Sequence, residues 1–157
     1  MLDFLKNFLD EVVSGRKVAD RFDKDDERLA AAALLIHVSM IDGEMTDAER
    51  LRLQNLLQRE FSLDSASVTD LIALASAAER EAVDLYSFTS LLNRSLDDAG
   101  RRRMVEMMWQ MVFADGGMNE FEDNVVWRAS DLLGVSARER VELRRAIAAA
   151  PEDQGDV

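Results

Sequence analysis

Apolar residues recur along this chain at intervals of three and four, the spacing of helices that bury one face. Leu2, Leu5, Leu9 and Val12, widened by Phe4, Phe8 and Val13, predict an amphipathic helix at the start, expected to dock on its own domain or to serve as a detachable arm for a partner. Ser14 to Lys24 has Gly15, mixed charge and little periodicity, and reads as a linker. A helix opening at Asp25-Asp26-Glu27, acids suited to the positive end of the helix dipole, is expected to run through Leu29, Ala32, Ala33, Ile36 and Met40. Being apolar nearly all round, it should be the buried centre of the first half. Leu51, Leu53, Leu56, Leu57 and Phe61 mark the next helix, and Asp64 or Ser65 caps another with Val68, Leu71, Ile72 and Leu74 as its stripe. A connecting helix from near Asp84 carries Leu85, Phe88, Leu91 and Leu92, with Tyr86 expected to be half-buried. Val105, Met108, Trp109, Val112 and Phe113 then predict a second buried helix. Val125, Val126, Ala129, Leu132 and Leu133 mark its successor, and Val141, Leu143 and Ile147 the last. Pro151 stops that helix, and residues 151–157 read as a disordered acidic tail.

One feature occurs twice. Asp42-Gly43-Glu44-Met45-Thr46-Asp47-Ala48-Glu49 is followed 73 residues later by Asp115-Gly116-Gly117-Met118-Asn119-Glu120-Phe121-Glu122. Each stretch closes a long apolar run and opens an amphipathic one. Asp-Gly suits the end of one helix, and Thr46-x-x-Glu49 or Asn119-x-x-Glu122 suits the reciprocal cap of the next. Phe61-Ser62-Leu63-Asp64 matches Leu133-Gly134-Val135-Ser136 at an offset of 72, so one residue is lost within the later helix. The expectation is an all-α, single-domain bundle of about 7–8 helices with an internal pseudo-twofold repeat. Residues 1–24 would be the arm and linker and 25–150 the domain, with repeats near 25–75 and 98–149 and the connecting helix near 84–95.

Composition narrows the class. A chain of 157 residues with 48% hydrophobic residues, one Pro and seven Gly favours long helices over a turn-rich sandwich. No Cys means no disulfide and no thiolate nucleophile, and the cytoplasm fits best. A formal charge of −12 opposes nucleic-acid binding, and the only basic run, Arg101-Arg102-Arg103, reads as a solvated first turn. No apolar stretch has the length of a membrane span, and Asp3, Lys6, Asp10 and Glu11 interrupt any signal-peptide pattern. With three acids, Asp3, Asp10 and Glu11, to one base, Lys6, the arm also carries the wrong sign for anionic lipid.

The candidate chemistry lies in the two turns. Asp42, Glu44, Asp47 and Glu49 place four carboxylates within eight residues, and Asp115, Glu120 and Glu122 add three. Oxygen donors without His or Cys suit Ca²⁺, Mg²⁺ or Mn²⁺ over Zn²⁺, although the spacing is not that of an EF-hand loop. The competing reading is that these acids only cap helices. Asp42 and Asp115 are what caps explain least. His37, the only histidine, reads as a core or rim residue just upstream of the first turn, and Met107, Met108, Met111 and Trp127 read as core. Catalysis is not expected: there is no Gly-rich phosphate loop and no second His to orient a base.

The paired turns, together with Ala31-Ala32-Ala33-Leu34-Leu35-Ile36-His37-Val38, Met104 to Ala114 and Ala77-Ala78-Glu79-Arg80-Glu81-Ala82-Val83-Asp84-Leu85-Tyr86, resemble the TerB family, the tellurite-resistance-associated helical domain, from about Arg28 to Ala146. The resemblance implies an all-α domain with an internal pseudo-repeat, a cytoplasmic setting and acidic residues that chelate a divalent metal. Gly117 stands where the first turn has Glu44, so a second site would be one carboxylate poorer. A related domain precedes membrane-anchored DnaJ-type co-chaperones, but no His-Pro-Asp motif occurs here. The functional expectation is a non-enzymatic, stress-associated scaffold that meets a protein partner through the acidic face or the N-terminal helix. The alternative is a purely structural interaction module whose acidic turns are helix caps alone.

Overall fold

Alanine is the strongest helix former, and its small side chain lets neighbouring elements approach closely. In the computed structural model, which describes residues 22–23, 25–41, 43–114 and 120–150, Ala30 to Ile36 forms the middle of helix α1 (Glu27–Ser39), and every residue of that run is buried. Asp26 caps it, its carboxylate accepting the Arg28 backbone N–H at 2.8 Å while the Arg28 guanidinium forks onto the same group at 3.0 and 2.7 Å. Burial pushes the Asp26 carboxyl up, but the Arg28 hydrogen bonds and charge outweigh it and hold the group below the usual aspartate value. The Arg28 guanidinium also lies 4.7 Å from the centre of the buried Phe22 ring.

Six more helices follow: α2 (Asp47–Phe61), α3 (Ser65–Glu81), α4 (Tyr86–Ser95), α5 (Asp98–Val112), α6 (Glu120–Leu132) and α7 (Ala137–Ala149), with no strand among the described residues. α1 packs most extensively on α3 and α4 and also meets α2, α5 and α6. Fully burying side chains such as Leu34 and Leu35, both 0% exposed, stabilises the fold by ~1.5–3 kcal/mol each. α5 is the second centre, with Met104, Val105, Met107, Met108, Trp109, Met111 and Val112 buried against α1, α2, α6 and α7. Its unbranched methionines adapt to the gaps between four neighbours. The Trp109 indole N–H donates to the Arg140 carbonyl at 3.1 Å, and the Arg144 guanidinium lies 5.7 Å from the same ring. These contacts latch α7, which has no fully buried residue of its own.

Two junctions share one geometry. α2 closes through Ser62 in the left-handed region (φ 54), with the Leu63 N–H donating to the Gln58 carbonyl at 3.0 Å, and Asp64 then caps α3. α6 closes through Gly134 (φ 73), with the Val135 N–H donating to the Ser130 carbonyl at 2.9 Å, and Ser136 then caps α7.

Several expectations change. Met40 follows α1 as its C-cap and is 38% exposed, and Leu51 lies on the outer side of α2 at 59%. Tyr86, expected to be half-buried, is 65% exposed because α4 begins with it, two residues after Asp84, whose carboxylate accepts the Tyr86 N–H at 2.9 Å. Trp127 is not core either: it is half exposed, with Arg140 over its ring. Arg101-Arg102-Arg103 falls after the Asp97 cap and is largely used within the fold. Arg101 pairs with Asp98, and Arg103 bridges Glu60 of α2 and Glu106 of α5 at 2.8 and 2.6 Å. The predicted N-terminal helix, the linker as far as residue 21 and the C-terminal tail lie outside the described residues, while Phe22, expected within the 14–24 linker, is a buried core residue beneath Arg28. No helix among those described is long and apolar enough to cross a membrane.

Candidate functional site

After α1 the chain must reverse to enter α2, and glycine supplies the backbone conformation. Gly43 has φ 107, with open space where a Cβ would point, and its N–H donates to the Met40 carbonyl at 2.9 Å. Three residues later the capping box forms as the sequence predicts. Thr46 Oγ1 accepts the Glu49 N–H at 3.1 Å, and Glu49 Oε1 accepts the Thr46 N–H at 2.9 Å. Glu49 is thereby 3% exposed and committed to the helix start.

The other acids of this turn are placed differently. Glu44 and Asp47 are exposed, and their carboxylates make no hydrogen bond or ion pair to a described residue. Asp47, as first residue of α2, also faces the positive end of that helix. Asp42 lies outside the described residues, as does Asp115 together with the rest of 115–119. Of the second set, Glu120 is exposed in the first turn of α6, while Glu122 is 7% exposed and engaged within the fold. Among the described residues no three His, Asp or Glu side chains converge in a cluster that would hold a metal ion. The donor set consists of carboxylates and fits a hard divalent cation. Of the described acids at the first turn, Glu44 and Asp47 are the two that would hold it.

Glu44 also borders a groove of about 520 Å³ between α1, the turn and α3, floored by Ile36, Met45 and Ile72 and flanked by Arg50, Glu79 and Arg80. His37 Nδ1 lies 3.1 Å from Glu79 Oε1, so the only histidine ties α1 to α3 beside this groove. The pair spans 42 positions, and no local spacing announces it.

The geometry defines a small all-α domain whose exposed chemistry is a carboxylate-bearing turn. Over residues 28–145 the sequence matches the family described as tellurite resistance protein TerB. The chain belongs to the TerB family. Neither a curated protein nor a solved structure matches it.

Proposed function

We propose that this chain is a non-enzymatic, stress-associated scaffold of the cytoplasm. Its acidic Asp-Gly turns take up Ca²⁺, Mg²⁺ or Mn²⁺ and present that face to a protein partner. The supporting observation is the division of labour in the first turn. Thr46 and Glu49 already satisfy the start of α2, while Glu44 and Asp47 remain exposed and unengaged by described residues. Capping accounts for Glu49 and leaves Glu44 unexplained.

Calorimetric and thermal-unfolding titrations of the full chain with each cation test this reading. A ligand of the folded state at a hundred times its Kd adds ~2.7 kcal/mol, so the melting temperature should rise and the rise should vanish in the Asp42→Asn, Asp115→Asn double variant. No heat and no shift at millimolar cation, or an equal response in the variant, rejects the cation role. It would favour the second reading, an interaction module with purely structural turns, for which the buried, cap-bound Glu49 carboxylate already speaks.

A further inference from the structure

A second groove, of about 500 Å³, opens between α1, α3 and α4. Leu29, Ala78, Ala82, Phe88 and Leu91 form its apolar part, in which two alanines leave room for larger side chains, and Glu81, Tyr86, Ser90 and Arg94 line it with polar groups. Leu29, Phe88 and Leu91 keep 8–9% of their surface exposed, so an edge of the core meets water here. Asp25 lines the same groove, and it is at Asp25 that the chain arrives to begin α1.

The arriving chain is suited to what the groove lacks. Leu2, Phe4, Leu5, Phe8, Leu9 and Val12 form a broad apolar stripe at helical spacing, and each such side chain gains ~1.5–3 kcal/mol on full burial. Residues 14–21 separate this stripe from Phe22, a tether of eight residues that reaches at most ~3.3–3.6 Å per residue. Held on that leash at the groove's own end, the stripe meets it at an effective concentration near millimolar, which a free partner or a second copy would have to match.

We propose that residues 2–13 seat as an amphipathic helix in the groove between α1, α3 and α4 of their own chain, with leucine and phenylalanine side chains over Ala78 and Ala82. The occupant is this segment, and the seat does not depend on the cation reading of the turns.

Because the chain has no Cys, introduced cysteines report alone. Leu5→Cys or Leu9→Cys, combined with Ala82→Cys or Ser90→Cys in the groove, should cross-link within one chain under mild oxidation. The rate should be roughly tenfold or more above that with Ala137→Cys on α7, which packs on α5 and α6, because only groove positions come within disulfide reach. Equal rates at all three positions, or no cross-link, overturn the proposal. Cross-linked dimers in place of monomers also overturn it, by making a second copy the occupant. A measurement on a chain without cysteines guards against a variant that misfolds. Leu5→Asp with Leu9→Asp should speed amide exchange in α4 several-fold and leave α7 unchanged, and unchanged α4 exchange defeats the proposal.

Discussion

α3 and α7 each follow a left-handed junction and a side-chain cap, yet they are retained by different means. α3 buries Ser67, Val68, Leu71 and Ala75 and makes the most extensive packing of α1. α7 buries nothing completely and rests on α5 and α6 through half-buried Leu143 and Ile147 and the contacts to Trp109. Similar local rules therefore position both helices, and the area each removes from water decides how firmly it stays. On this contrast α7 should open at a lower free energy than α3.

The largest expected effect tests that contrast directly. Leu71→Ala empties a fully buried site and should cost ~2–5 kcal/mol in urea unfolding, whereas Leu143→Ala removes a half-exposed side chain and should cost about 1 kcal/mol. Equal losses would break the comparison, as would amide exchange in α7 as slow as in α3. The junctions sharpen it on a smaller scale. Nothing lies within 4 Å of the Cβ position at Gly134, so Gly134→Ala should cost only the backbone strain of the left-handed region, ~1–2 kcal/mol. Ser62 already bears that strain at φ 54, so Ser62→Gly should be neutral or should stabilise by up to ~1 kcal/mol, the entropy of the glycine offsetting part of the relief. A loss at Ser62 comparable to that at Gly134 would show that the junctions differ in more than residue type.

The smallest effect belongs to α1, the helix on which α3 leans. The folded Asp26 carboxyl titrates below its ordinary 3.8, so its contribution is complete above that pH and is lost as pH falls through the lowered value. Asp26→Asn keeps the cap but loses the charge pairing with Arg28. The variant should be less stable than the parent at pH 7, and the gap should close below pH 3.8, as read from urea midpoints at both ends. A gap independent of pH would mean that the Arg28 pairing is not what lowers the carboxyl.

Much of this was legible because periodicity and capping are local. The apolar run around Ala31 gave the burial of α1, and Thr46-x-x-Glu49 gave the capping box and with it the commitment of one candidate ligand. Leu51 and Leu53 show the limit. Two residues apart on a helix are turned by about 200°, so only one can face the core, and which one depends on where neighbours sit. Tyr86 and Trp127 are exposed for the same reason: an aromatic residue near a helix start or on a surface face looks no different in sequence from one in the interior. The ties that fix tertiary arrangement, His37 to Glu79 and Arg103 to Glu60, join residues 42 and 43 positions apart and follow no period. Within the candidate site, the exposure of Glu44 fits its turn position, and the burial of Glu49 fits its place in the capping box.

Sealing Trp109 beneath the last helix also equips the molecule with an optical gauge. Lifting α7 would strip Trp109 of both its carbonyl acceptor and its guanidinium cover, whereas Trp127, already half exposed, would lose only the Arg140 guanidinium over its ring and should respond less. A red shift and new sensitivity to acrylamide quenching would then follow the departure of a single element, in the unlabelled chain, before the rest of the bundle gives way.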